Sequence, residues 1–170
     1  MASPTLGIFA HNVVVGLADV VVSNSAGAVL ATYSLGSCLG VAAYDPEARV
    51  GGLLHAMLPD SNIDPIKAAQ KPGMFVDTGV PVLIRAMQQM RADVRRMQTT
   101  VLGGAQIMDN SGFFNIGKRN YDALLRAFRD FGLRVHREDV GGFASRTMYL
   151  HIENGKLRVK KSGQTEEIIL

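Results

Sequence analysis

Four apolar segments, 18–23, 28–33, 38–44 and 49–57, follow one another in the first third of the chain, each rich in Val, Ala and Leu. Short runs of this kind bounded by turn residues read as strands, and the Asp45-Pro46-Glu47-Ala48 segment makes the last two a hairpin. Later segments repeat the pattern. A strand is expected at 98–103 before a Gly-rich loop, another at 133–138, and a hairpin of 146–153 with 156–161 around Asn154-Gly155.

Helical spacing occurs twice. Val80, Leu83, Ile84, Met87 and Met90 lie on one face of a helix capped by Asp77 or Thr78, and Pro81, tolerable only in a first turn, places its start close to Thr78. A second helix is expected near 117–131, with Tyr121, Leu124, Leu125 and Phe128 inward and Gly132 as its stop. Between Leu58 and Asp77 a polar stretch with Pro59, Pro65 and Pro72 reads as a long, mobile surface loop. Strands therefore dominate with two helices inserted, which favours α+β over a βαβ alternation.

At 170 residues the chain fits one domain and can bury a core without disulfide or metal. Its 18 basic and 15 acidic residues are dispersed, apart from Arg91, Arg95, Arg96 and the Lys160-Lys161 pair, so a solvated helix face is favoured over a nucleic-acid stripe. The single cysteine precludes an internal disulfide. With no secretory start and no long apolar run, the reducing cytoplasm is the expected location.

That cysteine is the candidate for chemistry. A two-residue or a four-residue loop in the hairpin makes facing residue numbers add to 93, which sets Cys38 directly opposite His55 on one sheet face. Their Cβ atoms would be about 4.5–5.5 Å apart, within reach of a thiol–imidazole hydrogen bond. An imidazolium there would stabilise the thiolate and lower the thiol pKa. A bulge at Gly51-Gly52 would break this register. Gly36 before Ser37-Cys38 permits a tight turn that aims N–H groups at an oxyanion. Residues and spacing alone leave Cys38 open between an inert core cysteine and a nucleophile. Gly103-Gly104 and Gly141-Gly142 read as turns needing positive φ, and Met87, Met90 and Met97 as packing residues. His11, His136 and His151 do not suggest a metal site.

The stretch Thr32-Tyr33-Ser34-Leu35-Gly36-Ser37-Cys38-Leu39-Gly40-Val41, followed by Val50 through Pro59, resembles the chemoreceptor glutamine deamidase family, CheD. The resemblance continues through Val76-Asp77-Thr78, Gly103-Gly104-Ala105, Asn115 through Asn120, and Glu138 through Gly142, from about Gly16 to Lys161. It implies a cysteine hydrolase that converts glutamine side chains on chemoreceptor helices to glutamate through a thioester. The implied triad is Cys38, His55 and Thr32, with no metal or organic cofactor. It also implies packed mixed β-sheets flanked by helices in α-β-β-α layers, similar to the catalytic domain of the cytotoxic necrotizing factor toxins, and a CheC-type phosphatase as partner. The chain departs from the family pattern at Phe75, where tyrosine is usual, in the length of the loop after Asp60, and in Gly79 with Pro81 at a helix start. A docking module for CheC or receptor helices without turnover, and a related thiol enzyme such as a transglutaminase or esterase acting through the same acyl-enzyme, are the competing readings.

Overall fold

A computed structural model describes residues 10–107 and 114–170. The strands are β1 (His11–Val14), β2 (Val20–Ser23), β3 (Ala28–Leu35), β4 (Leu39–Asp45), β5 (Val50–Ala56), β6 (Gln98–Gly103), β7 (Arg137–Val140), β8 (Arg146–His151), β9 (Leu157–Lys161) and β10 (Ile168–Ile169). The helices are α1 (Pro65–Gln70), α2 (Val76–Gln89) and α3 (Ile116–Asp130). Two five-stranded sheets result, in the orders β1-β3-β8-β9-β10 and β2-β5-β4-β6-β7. Each is mixed, because β1–β3 and β6–β7 are parallel while the other pairs are antiparallel. The fold is α+β, as the strand-rich pattern predicts.

The sheets meet through a core that includes Leu30, Leu35, Ala42, Leu53, Leu102, Met148 and Leu150. On the other face of the second sheet, Val41, Leu54, Ala56 and Val101 pack against Val80, Leu83 and Ile84 of α2 and Leu124 and Phe128 of α3. β4 and β5 are therefore buried along their whole length, which explains their unbroken apolar sequence. β8 alternates instead: Met148 and Leu150 point into the core, while Thr147, Tyr149 and His151 are half-buried. Among the described residues both longer helices pack on the β2–β7 sheet. Among the described residues no helix is long and apolar enough to cross a membrane.

The β4–β5 hairpin departs from the expected register. Asp45 pairs with Val50, so the loop is Pro46–Arg49, and Gly40 rather than Cys38 faces His55. The cause is local. The buried Asp45 carboxylate accepts from the backbone N–H of Glu47 (3.0 Å) and Ala48 (3.2 Å), and Arg49 closes the loop at φ 54°. Arg96 also donates to Asp45 at 2.8 Å. The slip is two residues, an even number, so the side-chain faces are preserved.

Other boundaries shift for similar reasons. α2 begins at Val76 because Val76 N–H donates to the Leu58 carbonyl (2.8 Å) and Gly79 N–H to that of Phe75 (2.7 Å). Pro81 thus sits in the second turn, at the cost of the bond it cannot donate. The 58–77 stretch is not a structureless loop. Asp64 caps α1 by accepting from Lys67 N–H, Pro65 takes the first helical position, and 61–63 and 72–74 form 3₁₀ turns. β7 starts four residues later than expected, after His136 N–H has reached the Thr99 carbonyl. The Asn154-Gly155 hairpin exists, but β8 ends at His151 and β9 starts at Leu157. In α3, Leu125 is exposed, and Asn120 is fully buried on the core face.

Candidate active site

Residues 36–38 form a short bend between β3 and β4, held from behind by three hydrogen bonds. The carbonyl of Gly36 accepts from Ala105 N–H (2.8 Å), that of Cys38 from Gly104 N–H (2.9 Å), and that of Ser37 from the Asn120 side-chain amide (2.9 Å). In a trans peptide the N–H points opposite to the preceding carbonyl. With the Gly36 and Ser37 carbonyls tied inward, the N–H groups of Ser37 and Cys38 are directed away from this wall. Gly103 is required there: at φ +106° an added Cβ would lie 2.1 Å from the Cys38 carbonyl oxygen. The four glycines read as turns, Gly103, Gly104, Gly141 and Gly142, all have positive φ.

Cys38 is half-buried and packs against the inter-sheet core. His55 occupies the same interior, 2% exposed, with its N–H donating to the Asp19 carbonyl (3.1 Å) and its carbonyl accepting from Ala18 N–H (2.9 Å). Thr32 reaches it from the opposing sheet. Along β3, Ala28, Leu30 and Thr32 share the inward face by strand periodicity, and Thr32 Oγ1 lies 2.7 Å from His55 Nδ1.

Proton counting assigns the imidazole tautomer. Thr32 Oγ1 donates its one hydrogen to the Val15 carbonyl at 2.8 Å, an atom that can only accept. Toward His55 the hydroxyl therefore accepts, so Nδ1 carries the proton and Nε2 the lone pair. Nε2 is buried with no hydrogen-bond partner among the described residues. A buried, unpaired acceptor costs about 1–3 kcal/mol, so its retention calls for a reason.

Burial lowers the His55 pKa to about 4. Burial also pushes the Cys38 thiol up, opposed in part by its own backbone N–H. Near neutral pH these shifts leave a neutral thiol and a neutral imidazole, and among the described residues no hydrogen bond joins the two, in contrast to the expected hydrogen-bonded thiolate and imidazolium. The imidazole is too desolvated to hold a charge before substrate arrives. Beside the bend lies a cavity of about 160 Å³ lined in part by Ser37, Ala105, Gln106, Ile107 and Gly117.

Of the remaining histidines, two have side-chain partners. His136 accepts from Thr99 N–H (3.2 Å) and His151 from Arg158 Nε (3.1 Å). No group of three or more His, Cys, Asp or Glu side chains suited to a metal occurs among the described residues. Met87 and Met97 are buried and Met90 packs against the helix-side core.

Residues 57–161 match the family model for CheD chemotactic sensory transduction. A Syntrophus aciditrophicus protein named probable chemoreceptor glutamine deamidase CheD 1 is 46% identical, covering 89% of this chain and 95% of that one. The Thermotoga maritima protein named chemoreceptor glutamine deamidase CheD is 39% identical, covering 91% and 95% respectively.

The chain belongs to the CheD family.

Among solved structures, a Neisseria meningitidis protein is similar at a TM-score of 0.40 and 13% identity, covering 73% of this chain and 52% of that one, a likeness too low to carry an argument. The CheD family match starts two residues past His55, so it covers Gly104, Ala105 and Asn120, which hold the bend, but neither Cys38 nor His55. Two contributors to the candidate site are not apparent from residue patterns: the Val15 carbonyl and the Asn120 amide. Asn120 leaves one trace, a polar residue between Gly117 and Leu124 on an otherwise apolar helix face.

Proposed function

We propose that this chain is a chemoreceptor glutamine deamidase in which Cys38 is the nucleophile, His55 the general acid–base and Thr32 the residue that orients the imidazole. The observation that carries the reading is the Thr32–His55 hydrogen bond joining the two sheets, which leaves His55 Nε2 as an unshared acceptor on the face where Cys38 packs.

The reaction follows from those protonation states. Cys38 Sγ attacks the glutamine carboxamide carbon as its proton passes to His55 Nε2. The oxyanion is held by the N–H groups of Cys38 and Ser37, and the Nδ1–H bond to Thr32 strengthens as the ring becomes cationic. The carbon–nitrogen bond then breaks, the Nε2 proton goes to nitrogen and ammonia departs, leaving a thioester. Water loses a proton to Nε2 and adds to the thioester carbon. The carbon–sulfur bond breaks, the thiol regains its proton and glutamate is released. No cofactor enters these steps. The resemblance to the family supports chemoreceptor methylation helices as substrate, a cytoplasmic setting and a CheC-type phosphatase as partner.

Incubation with a receptor cytoplasmic fragment in ¹⁸O-water tests this. Specific glutamines should become glutamates carrying one ¹⁸O, read by peptide mass spectrometry. Conversion with an added amine incorporated instead would favour amine transfer, and no conversion alongside capture of CheC would favour a docking module.

A further inference from the structure

We infer that Asn120 is a positioning residue for the proposed deamidation, acting through the Ser37–Cys38 peptide; the inference rests on the Cys38 reading above. Asn120 is 0% exposed and lies on α3, remote in sequence from Cys38 and His55. Its amide nitrogen donates to the Ser37 carbonyl at 2.9 Å and to the Met57 carbonyl at 3.1 Å. Both partners can only accept, so the amide has one possible orientation, and its buried Oδ1 has no partner among the described residues. A side chain selected for packing alone would not strand that oxygen, since an apolar residue would fill the helix face without the desolvation cost.

The two carbonyls flank the reacting groups. Ser37 immediately precedes Cys38, and Met57 lies two residues beyond His55. One buried amide thus cross-links the bend that carries the thiol to the end of the strand that carries the imidazole. α3 approaches closely enough because Gly117 has no side chain: a Cβ there would lie 2.3 Å from the Gly104 carbonyl oxygen. Gly104 in turn donates to the Cys38 carbonyl. Fixing the Ser37 carbonyl fixes the plane of the Ser37–Cys38 peptide and with it the direction of the Cys38 N–H, the donor assigned to the oxyanion. Asn120 touches no reacting atom; it aims one that does.

The test compares wild type, Asn120→Ala and Asn120→Ser in two reactions at Cys38. Deamidation of a receptor fragment needs the oxyanion donor, whereas alkylation by iodoacetamide, a displacement at sp³ carbon, does not. For Asn120→Ala, kcat should fall by about 10²-fold with KM within about threefold, the scale expected for losing one oxyanion donor. Alkylation should stay within about threefold of wild type, and Asn120→Ser, which keeps one donor, should fall between in kcat. A merely structural role would lower the unfolding temperature and slow both reactions together. Unchanged kcat, or alkylation falling in parallel with it, overturns the inference; if the alanine variant does not fold, the serine variant is judged by the same two rates. Absence of deamidation by wild type itself would sink the deamidase reading instead.

Discussion

Cys38→Ser is expected to reduce glutamine deamidation by about 10⁴-fold or more, the scale seen when a nucleophile is removed from a catalytic unit that otherwise remains intact. The change replaces one sulfur by oxygen at a half-buried position in a bend held by three hydrogen bonds, so the fold should persist. Unfolding temperatures should change only slightly, within the ordinary effect of about 0.5 kcal/mol for a substitution that opens no cavity. The loss is large because a serine hydroxyl is far less acidic than a thiol. His55, held at about 4, is too weak a base to remove that proton. Initial rates from peptide mass spectrometry, paired with thermal melts, check this. A serine variant within tenfold of wild type would place the chemistry elsewhere.

His55→Gln should cost about 10²–10⁴-fold in kcat, the usual worth of a positioned general acid–base. Its pH dependence is more diagnostic. The imidazole must be neutral to accept the thiol proton, so the acid limb of kcat/KM in the wild type should lie near 4 rather than near 6.5. The same depression affects stability with a defined sign. Between about 4 and 6.5 the unfolded chain binds a proton at His55 that the folded chain excludes, so stability falls as pH drops through this window and levels off below it. From pH 7 to pH 5 the loss attributable to this group is about 2 kcal/mol. His55→Gln should remove that component of the acid sensitivity. Equal pH slopes for the variant and the wild type would contradict it.

The strands of the β4–β5 hairpin were legible from composition and turn residues, but its register was not. Side-chain bonds from Asp45 and a positive φ at Arg49 decided the loop, and neither follows from apolar periodicity. The two-residue slip keeps the face of each strand position, so Gly40 stands opposite His55, while Cys38, in the bend before β4, packs against the same inter-sheet core. Thr32 was indicated only by family resemblance. Its contact joins two sheets, and no spacing along the chain reveals which strands become opposed across a core. β1 was missed because His11–Val14 is a short, mostly exposed strand without an apolar run. α1 carried a usable signal, Asp64 before Pro65, that three prolines in one polar stretch obscured. Asn120 shows the opposite problem: its helix was readable, but its partners, Ser37 and Met57, are set by tertiary packing alone.

The proposed chemistry requires His55 to stand as a neutral base with its lone pair on Nε2. ¹⁵N NMR of the ring, assigned by comparison with His55→Gln, measures this directly. At pH 7 the spectrum should show Nδ1 protonated and Nε2 bare, with no titration until the pH approaches about 4. A ring protonated on both nitrogens at pH 7, or one carrying its single proton on Nε2, would contradict it.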